Sequence, residues 1–253
     1  MKILSLNVNN FAGRGVSKPI IKDFNTWFEF RKAVVLWRDK SDHYRNAGCV
    51  LDLIVSESPD VIFLQEFDVT SDVSVKFLLD MNSLGYEEVF PDNNSEDSIK
   101  GFKSITIMLT RISNTIVKSN KTLVDKSLKW VNAEIGDLLI SGVHFNYTME
   151  YWDALERFYS LNKDRKLLVI GDLNVYIKGT DRRERFDNIL SMGIEDMWLY
   201  SGGSNDTITC DTGARLDYAL ASKSLRDNIF ITINDTPINR RFSDHNALIV
   251  SIV

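Results

Sequence analysis

Residues 166–174 read KLLVIGDLN. The run from Leu167 to Ile170 is apolar without a break, the signature of a strand buried on both faces. It ends in Gly171, Asp172, Leu173 and Asn174. Strand alternation predicts Asp172 and Asn174 on one side, with Leu173 turned the other way into packing. Gly171 permits the close approach of a substrate or of a second backbone. A carboxylate beside an amide suits a phosphate. The carboxylate can take a proton from water, and the amide can donate to a phosphoryl oxygen. Asp and Asn also favour turns, so a plain strand-end turn is the competing reading.

The same design recurs outward from this stretch. Asp60–Phe67 (DVIFLQEF) is another apolar run with a polar tip, Gln65-Glu66. Residues 2–8 form an apolar strand that ends at Asn7. His144 and Asn146 close the run Leu138–Phe145, and Ser243-Asp244-His245 precedes the last strand, Ala247–Val253. Asp217 stands inside the apolar segment Arg215–Ala221 (RLDYALA). Carboxylates in such surroundings are costly unless paired, hydrogen-bonded or bound to a metal. Of the three histidines, two fall in these clusters; the third, His43, reads as an ordinary surface residue.

Between the tips, helices are expected from Ser41 or Asp42 to Pro59, over residues 72–84, from Tyr151 to Leu161 and over 183–191. Further strands are expected at Phe102–Arg111, Thr115–Lys118 and Leu128–Ile135, with a polar loop over 91–101. Phe24, Trp27, Phe28, Val34, Val35 and Trp37 could line one side of a helix. Trp27, Phe28, Phe30 and Trp37 read as packing residues ahead of base-stacking ones. No Pro-, Gly- or Ser-rich stretch divides the chain, which reads as one domain over residues 1–253.

At 253 residues, with 44% hydrophobic and 26% charged residues, the chain can bury a full core. Its net charge of -5 counts against a partner gripped along many phosphates. It does not count against an enzyme that meets one phosphate through a cation. Two cysteines, Cys49 and Cys210, make no disulfide framework. No segment reads as a signal peptide or a membrane span, and the expected compartment is the cytoplasm.

LSLNVN near the start, LQE, GDLN, RLDY and SDH resemble, in order and setting, the motifs of the endonuclease/exonuclease/phosphatase superfamily. The resemblance runs from residue 3 to the last strand. Each motif alone is weak; five in order, each at the tip of an apolar run, are specific. The resemblance implies a deoxyribonuclease I-like α/β fold: a four-layer sandwich of two central mixed β-sheets flanked by helices. It implies hydrolysis of a phosphate ester with Mg²⁺ or Mn²⁺. Glu66 resembles the principal metal-ligating carboxylate, Asn7 its neighbour at the metal, and Asp244 a further metal-site carboxylate. Asp172 resembles the residue that orients or deprotonates the attacking water, and Asn174 the donor to the scissile phosphate. His245 resembles the histidine at the phosphate, and Asp217 the buried carboxylate that pairs with it. His144 is placed like a second catalytic histidine, on the side of deoxyribonuclease I, sphingomyelinases and inositol phosphatases. No partner for His144 is evident in the sequence.

The chemistry stands apart from the resemblance. Hydrolysis of a phosphate ester needs charge neutralisation, an aligned water and help for the leaving oxygen. A hard cation such as Mg²⁺ keeps several waters and needs only one or two carboxylates. Asn146, Arg240 and Arg241 are candidate substrate contacts. Arg182, Arg183 and Arg185 read first as a solvated helix face. A nuclease acting on DNA or RNA is the first expectation. A phosphatase or phosphodiesterase for a small or lipid-linked phosphate is the second, and a binding module without catalysis the third. The chain departs from the compact family plan by an insertion around residues 12–50, and in having Asn246-Ala247 where many members carry proline after SDH.

Overall fold

The computed structural model describes residues 1–13, 25–40, 42–90, 104–112, 128–176 and 179–253, and side chains except those of 34–40. The strand expected at Thr115–Lys118, the loop 91–101 and Phe24 lie outside the described residues. Among the described residues, eleven strands follow one another. They are β1 (Lys2–Asn7), β2 (Val61–Phe67), β3 (Glu87–Phe90), β4 (Ile105–Thr110), β5 (Trp130–Ile135), β6 (Leu138–His144), β7 (Lys166–Asp172), β8 (Glu195–Asp196), β9 (Asp217–Ala221), β10 (Ile229–Asn234) and β11 (Ala247–Ile252).

They build two mixed sheets. One has the order β10-β11-β1-β2-β4-β3, the other β5-β6-β7-β9-β8. Each sheet has a parallel pair at its heart, β1 with β2 and β6 with β7, and is otherwise antiparallel. Three apolar clusters fill the spaces. Ile3, Val61, Phe63 and Met108 of the first sheet meet Ile140, Leu168, Ile170 and Ala219 of the second. The outer face of the first sheet is covered by helices His43–Glu57 and Asp72–Ser83, through Val50, Ile54, Phe77 and Met81. Helices Glu150–Asn162 and Asp181–Ser191 cover the second through Trp152, Leu155, Phe186 and Ile189. This is the expected four-layer order of helix, sheet, sheet, helix.

Strands run continuously apolar where both faces are covered. β7 is buried from Leu167 to Asp172, and β2 from Val61 to Gln65. The sheets come close at Gly142 of β6, where an added Cβ would stand 2.0 Å from Phe63 Cδ1 of β2. Helix caps agree with the sequence: Asp42 accepts from Arg45 N, Ser71 from Ser74 N and Thr180 from Arg183 N. Strands β3 and β8 carry no clear sequence signal, since four and two residues are too few to show a period. The six-residue strand β10, with Ile229 and Ile231 buried and Phe230 and Thr232 exposed, is an addition to the strands expected from the sequence.

Within residues 12–50, the stretch from 43 onward belongs to the covering helix, with Ala47, Cys49 and Val50 in the core. The helix Trp27–Lys40 corrects one expectation: Trp27 is 61% and Phe28 75% exposed, so these rings do not pack in the core. The Arg31 guanidinium lies 4.9 Å over the Trp27 ring, and the side chain of Trp37 lies outside the described ones. Among the described residues no helix is long and apolar enough to cross a membrane.

Candidate active site

Strand direction brings the motifs together. β1, β2, β6 and β7 carry Asn7, Glu66, His144 and Asp172 at their far ends. β9 and β11 run antiparallel to them, so Asp217 opens β9 and Ser243-Asp244-His245 comes just before β11. The register sets three of the groups in one row: His144 lies opposite Asp172, and Asp172 opposite Asp217. Gly171 is needed beside them. It has φ 142, and a Cβ there would meet Val143 O at 2.0 Å, so the close approach is that of a second backbone.

Glu66 is aimed by a bulge. Pairing of β2 with β4 slips between Leu64 and Phe67, and Glu66 takes φ 52, unusual for a side chain with a Cβ. Gln65 beside it is fully buried and donates to Ser5 Oγ at 2.9 Å. Asn7 Nδ2 donates to Glu66 Oε1 (3.3 Å) and Asp172 Oδ2 (3.2 Å), while Asn7 Oδ1 accepts from Asn9 N (3.0 Å).

Asn174 comes back beside Asp172 through a turn. Its φ is 51, and its backbone N–H donates to Asp172 Oδ1 at 2.9 Å. The turn reading and the site reading thus describe one feature, and alternation ends at Asp172. The Asn174 amide nitrogen donates to Phe145 O (2.8 Å) and Asp172 Oδ2 (3.2 Å). Leu173 packs the other way, as expected.

His245 Nδ1 is 2.8 Å from Asp217 Oδ2, and its Nε2 is 3.9 Å from Asp172 Oδ2. His144 Nε2 is 3.6 Å from Glu66 Oε1 and 3.7 Å from Asp172 Oδ2. Both imidazoles therefore face the same carboxylate oxygen, beyond direct hydrogen-bond reach. Asp244 Oδ1 is buried and, among the described residues, has no hydrogen-bond partner.

Burial and neighbouring charge set the protonation states. Burial, reinforced by the Lys129 ammonium, depresses the His144 imidazole to about 3, so the ring is neutral near pH 7. Burial also disfavours a charged His245, but Asp217 and Asp172 outweigh it and hold that imidazole well above 6.5. Burial raises the Asp172 carboxyl to about 7, against the pull of His245. Burial likewise raises Asp244 to about 6. For Glu66, burial is outweighed by His144, Lys129, His245 and the Asn7 amide, which hold it low. Since His144 is neutral, Lys129 and His245 are the cations that count there.

Several supporting residues escaped sequence reasoning. Lys129 Nζ stands 3.0 Å from His144 Nδ1. Thr209 Oγ1 accepts from Leu216 N (2.9 Å) and Asp217 N (3.0 Å), and Thr209 O accepts from Asn246 N (2.7 Å). Ser243 Oγ donates to Asn7 O (2.6 Å) and accepts from His245 N (3.0 Å). Lys129 and Thr209 stand outside every motif, so no local pattern marks them; Ser243 belongs to the SDH motif, but its bond to Asn7 spans 236 positions.

The other candidates lie further out. Asn146 Oδ1 accepts from Thr148 N at 2.9 Å in a turn. Arg240 and Arg241 are exposed, and Arg240 Nη2 reaches Cys49 Sγ at 3.9 Å. Arg183 pairs with Asp187, and Arg185 with Asp153 and Glu156. Arg182 differs: it donates to Asn174 O and lies 4.5 Å over the ring of Tyr147, which is 69% exposed.

Asp172, Asp217 and His245 offer ligand atoms all within 4.8 Å of one another, a group capable of coordinating a divalent cation. The sequence pointed instead to Asn7, Glu66 and Asp244. Asp217 is already committed to His245 Nδ1, so the pair reads better as an oriented imidazole than as two ligands.

Two mixed sheets between helix layers, with carboxylates and histidines across their common end, define a deoxyribonuclease I-like α/β sandwich. Residues 4–245 match the Endonuclease/Exonuclease/phosphatase family, and the chain belongs to it. An AP endonuclease from Archaeoglobus fulgidus superposes with a TM-score of 0.69 at 15% identity, covering 100% of this chain and 99% of that one. A 3'-5' exonuclease (NExo) from Neisseria meningitidis gives 0.68 at 17% identity, with 100% and 99% covered. A 3' phosphatase NExo from Neisseria bound to a product DNA hairpin gives 0.65 at 16%, with 100% and 99% covered. At such identities the likeness is one of fold. Among curated proteins nothing matches the chain.

Proposed function

We propose that this protein hydrolyses phosphodiester bonds of a nucleic acid with a divalent cation, and that the whole chain forms the one catalytic domain. The observation that carries the reading is the meeting of Glu66, His144 and His245 around Asp172, at 3.6 to 3.9 Å for the histidine contacts. Glu66, with Asn7 and Asp244, would hold Mg²⁺ or Mn²⁺. The donor set fits a hard cation: it is rich in oxygen, and the buried Asp244 Oδ1 has no hydrogen-bond partner among the described residues. When bound, such a cation supplies charge neutralisation at the phosphoryl group and draws neighbouring carboxylates toward their ionised form.

The protein's own groups take the remaining tasks. Asp172 accepts a proton from the attacking water, in a carboxyl that burial leaves close to neutral pH in its own affinity. Asn174 exchanges its longer bond, to Asp172, for a phosphoryl oxygen. His245, kept cationic by Asp217, donates from Nε2 to charge developing on the phosphate.

For the substrate, the exposed Tyr147 ring with Arg182 over it sits next to Asn174, a face suited to stacking on a base. Of the solved structures, one is named an AP endonuclease and one a 3'-5' exonuclease, and a third, named a 3' phosphatase, is bound to a product DNA hairpin; these support a nucleic-acid substrate. Arg240, Arg241 and Asn146 are proposed as flanking contacts, and Arg240→Ala should flatten the salt dependence of binding.

Supercoiled plasmid, single-stranded RNA and phosphoinositides, each assayed with and without Mg²⁺, test the reading. Cleavage of plasmid or RNA, lost by roughly a thousandfold in Glu66→Ala and Asp172→Ala, is the expected result. Turnover of phosphoinositide alone would replace the substrate, and full activity in both variants would refute the site.

A further inference from the structure

Lys129 occupies the seam between the two sheets, just ahead of β5. Its carbonyl accepts from His144 N at 2.8 Å and from Thr106 Oγ1 at 3.1 Å, so β6 of one sheet and β4 of the other both hold it. Its ammonium lies 3.0 Å from His144 Nδ1 and 3.5 Å from Ser104 Oγ. An ammonium carries three donors and no acceptor. The ring nitrogen it faces must therefore be the one without a proton. The single proton of the uncharged imidazole is then on Nε2, the atom 3.6 Å from Glu66 Oε1 and 3.7 Å from Asp172 Oδ2.

This inverts the usual arrangement. Where a carboxylate or carbonyl takes the Nδ1 proton, Nε2 keeps a lone pair and serves as a base. At His245 a carboxylate, Asp217, faces Nδ1 in the same way, but that ring is held as a cation, so its Nε2 also carries a proton. The two histidines, facing one carboxylate, are held by partners of opposite charge. Both consequently present N–H toward Asp172: His245 as a cation and His144 as an uncharged ring.

We propose that Lys129 is a positioning residue that locks His144 as the Nε2–H tautomer, so that His144 acts as a hydrogen-bond donor to the phosphoryl group and not as a general base. The proposal rests on the phosphoesterase reading for its chemistry, but not for the tautomer itself. A donor of this kind needs no proton transfer, and it leaves the proton of the water to a carboxylate, Asp172.

The test combines spectroscopy with kinetics on the Mg²⁺-loaded protein. Two-bond proton–nitrogen correlation spectra of nitrogen-15-labelled protein resolve three imidazoles. In the wild type, His144 should show Nδ1 in the unprotonated range and Nε2 in the protonated range. Lys129→Arg carries donors and no acceptor and should keep that pattern, with kcat on bis(4-nitrophenyl) phosphate within about threefold of wild type. Lys129→Glu presents an acceptor. It should move the proton to Nδ1 or charge the ring, and lower kcat by roughly a hundredfold with KM little changed, the loss expected for a misdirected donor. A wild-type spectrum with Nδ1 protonated would overturn the proposal. So would a folded Lys129→Glu with unaltered tautomer or kcat. Should Lys129→Glu not fold, the wild-type and Lys129→Arg spectra still decide. A wild-type protein inactive on every phosphoester would end the functional reading while leaving the tautomer result intact.

Discussion

Two histidines that look alike in the sequence are opposites in the structure. His245 has Asp217 as its partner and His144 has Lys129. In metal-free protein their titrations should therefore diverge. His245 should stay protonated well above pH 6.5, and His144 should stay neutral down to about pH 3, as read by imidazole NMR in the presence of chelator. The stability consequences have opposite signs. The raised value of His245 adds stability that is complete below 6.5 and is lost as pH rises through its folded value. The lowered value of His144 weakens the fold as pH falls from 6.5 toward about 3, because the unfolded chain then takes up a proton the fold refuses. The place of both histidines at strand tips is legible in the sequence. Their charge states are not, because Lys129 is fifteen positions from His144 and carries no motif.

At the scale of elements, two contacts that no period encodes hold the scaffold. The first is between sheets. Gly142→Ala would push a methyl to 2.0 Å from the Phe63 ring, at a cost of about 1–3 kcal/mol or more. Phe63→Leu should relieve it, so that a urea-unfolding double-mutant cycle shows coupling of about 0.5–3 kcal/mol. Additive effects would mean that the sheets move apart freely. The second is the buried pair Arg215–Asp196. Arg215 Nη1 and Nη2 bond Asp196 at 3.1 and 2.7 Å, Nη2 also reaches Asn205, and the guanidinium lies 4.3 Å over Tyr218. Asp196 in turn caps the short helix Met197–Tyr200. Arg215→Ala leaves a buried carboxylate alone and should cost about 3–5 kcal/mol in chemical denaturation. In the sequence Arg215 is only the first letter of RLDY; its ion pair spans nineteen positions and cannot be read from that motif.

For the whole molecule, the net charge of -5 and the crowding of Glu66, Asp172, Asp217 and Asp244 at one end make a cation a stabilising ligand. Mg²⁺ at a hundred times its dissociation constant should stabilise the fold by about 2.7 kcal/mol and raise the thermal midpoint by roughly 5–10 °C. Differential scanning calorimetry would read the shift, and Glu66→Gln should abolish most of it. An equal shift in that variant would place the cation elsewhere.

By itself, the sequence determined the layered α/β architecture, the order of the main strands and the residues at their tips. Those features are local: a strand buried on both faces must be apolar along its length, and a polar group at its end is visible without knowing its neighbours. Only the tertiary structure decided how those tips work together. The bulge that turns Glu66, the Thr209 clamp on Asp217 and the lysine behind His144 each arise from backbone geometry or from contacts outside the motifs. Such contacts leave no mark on residue type or spacing, because the energy that selects them is shared between segments far apart along the chain.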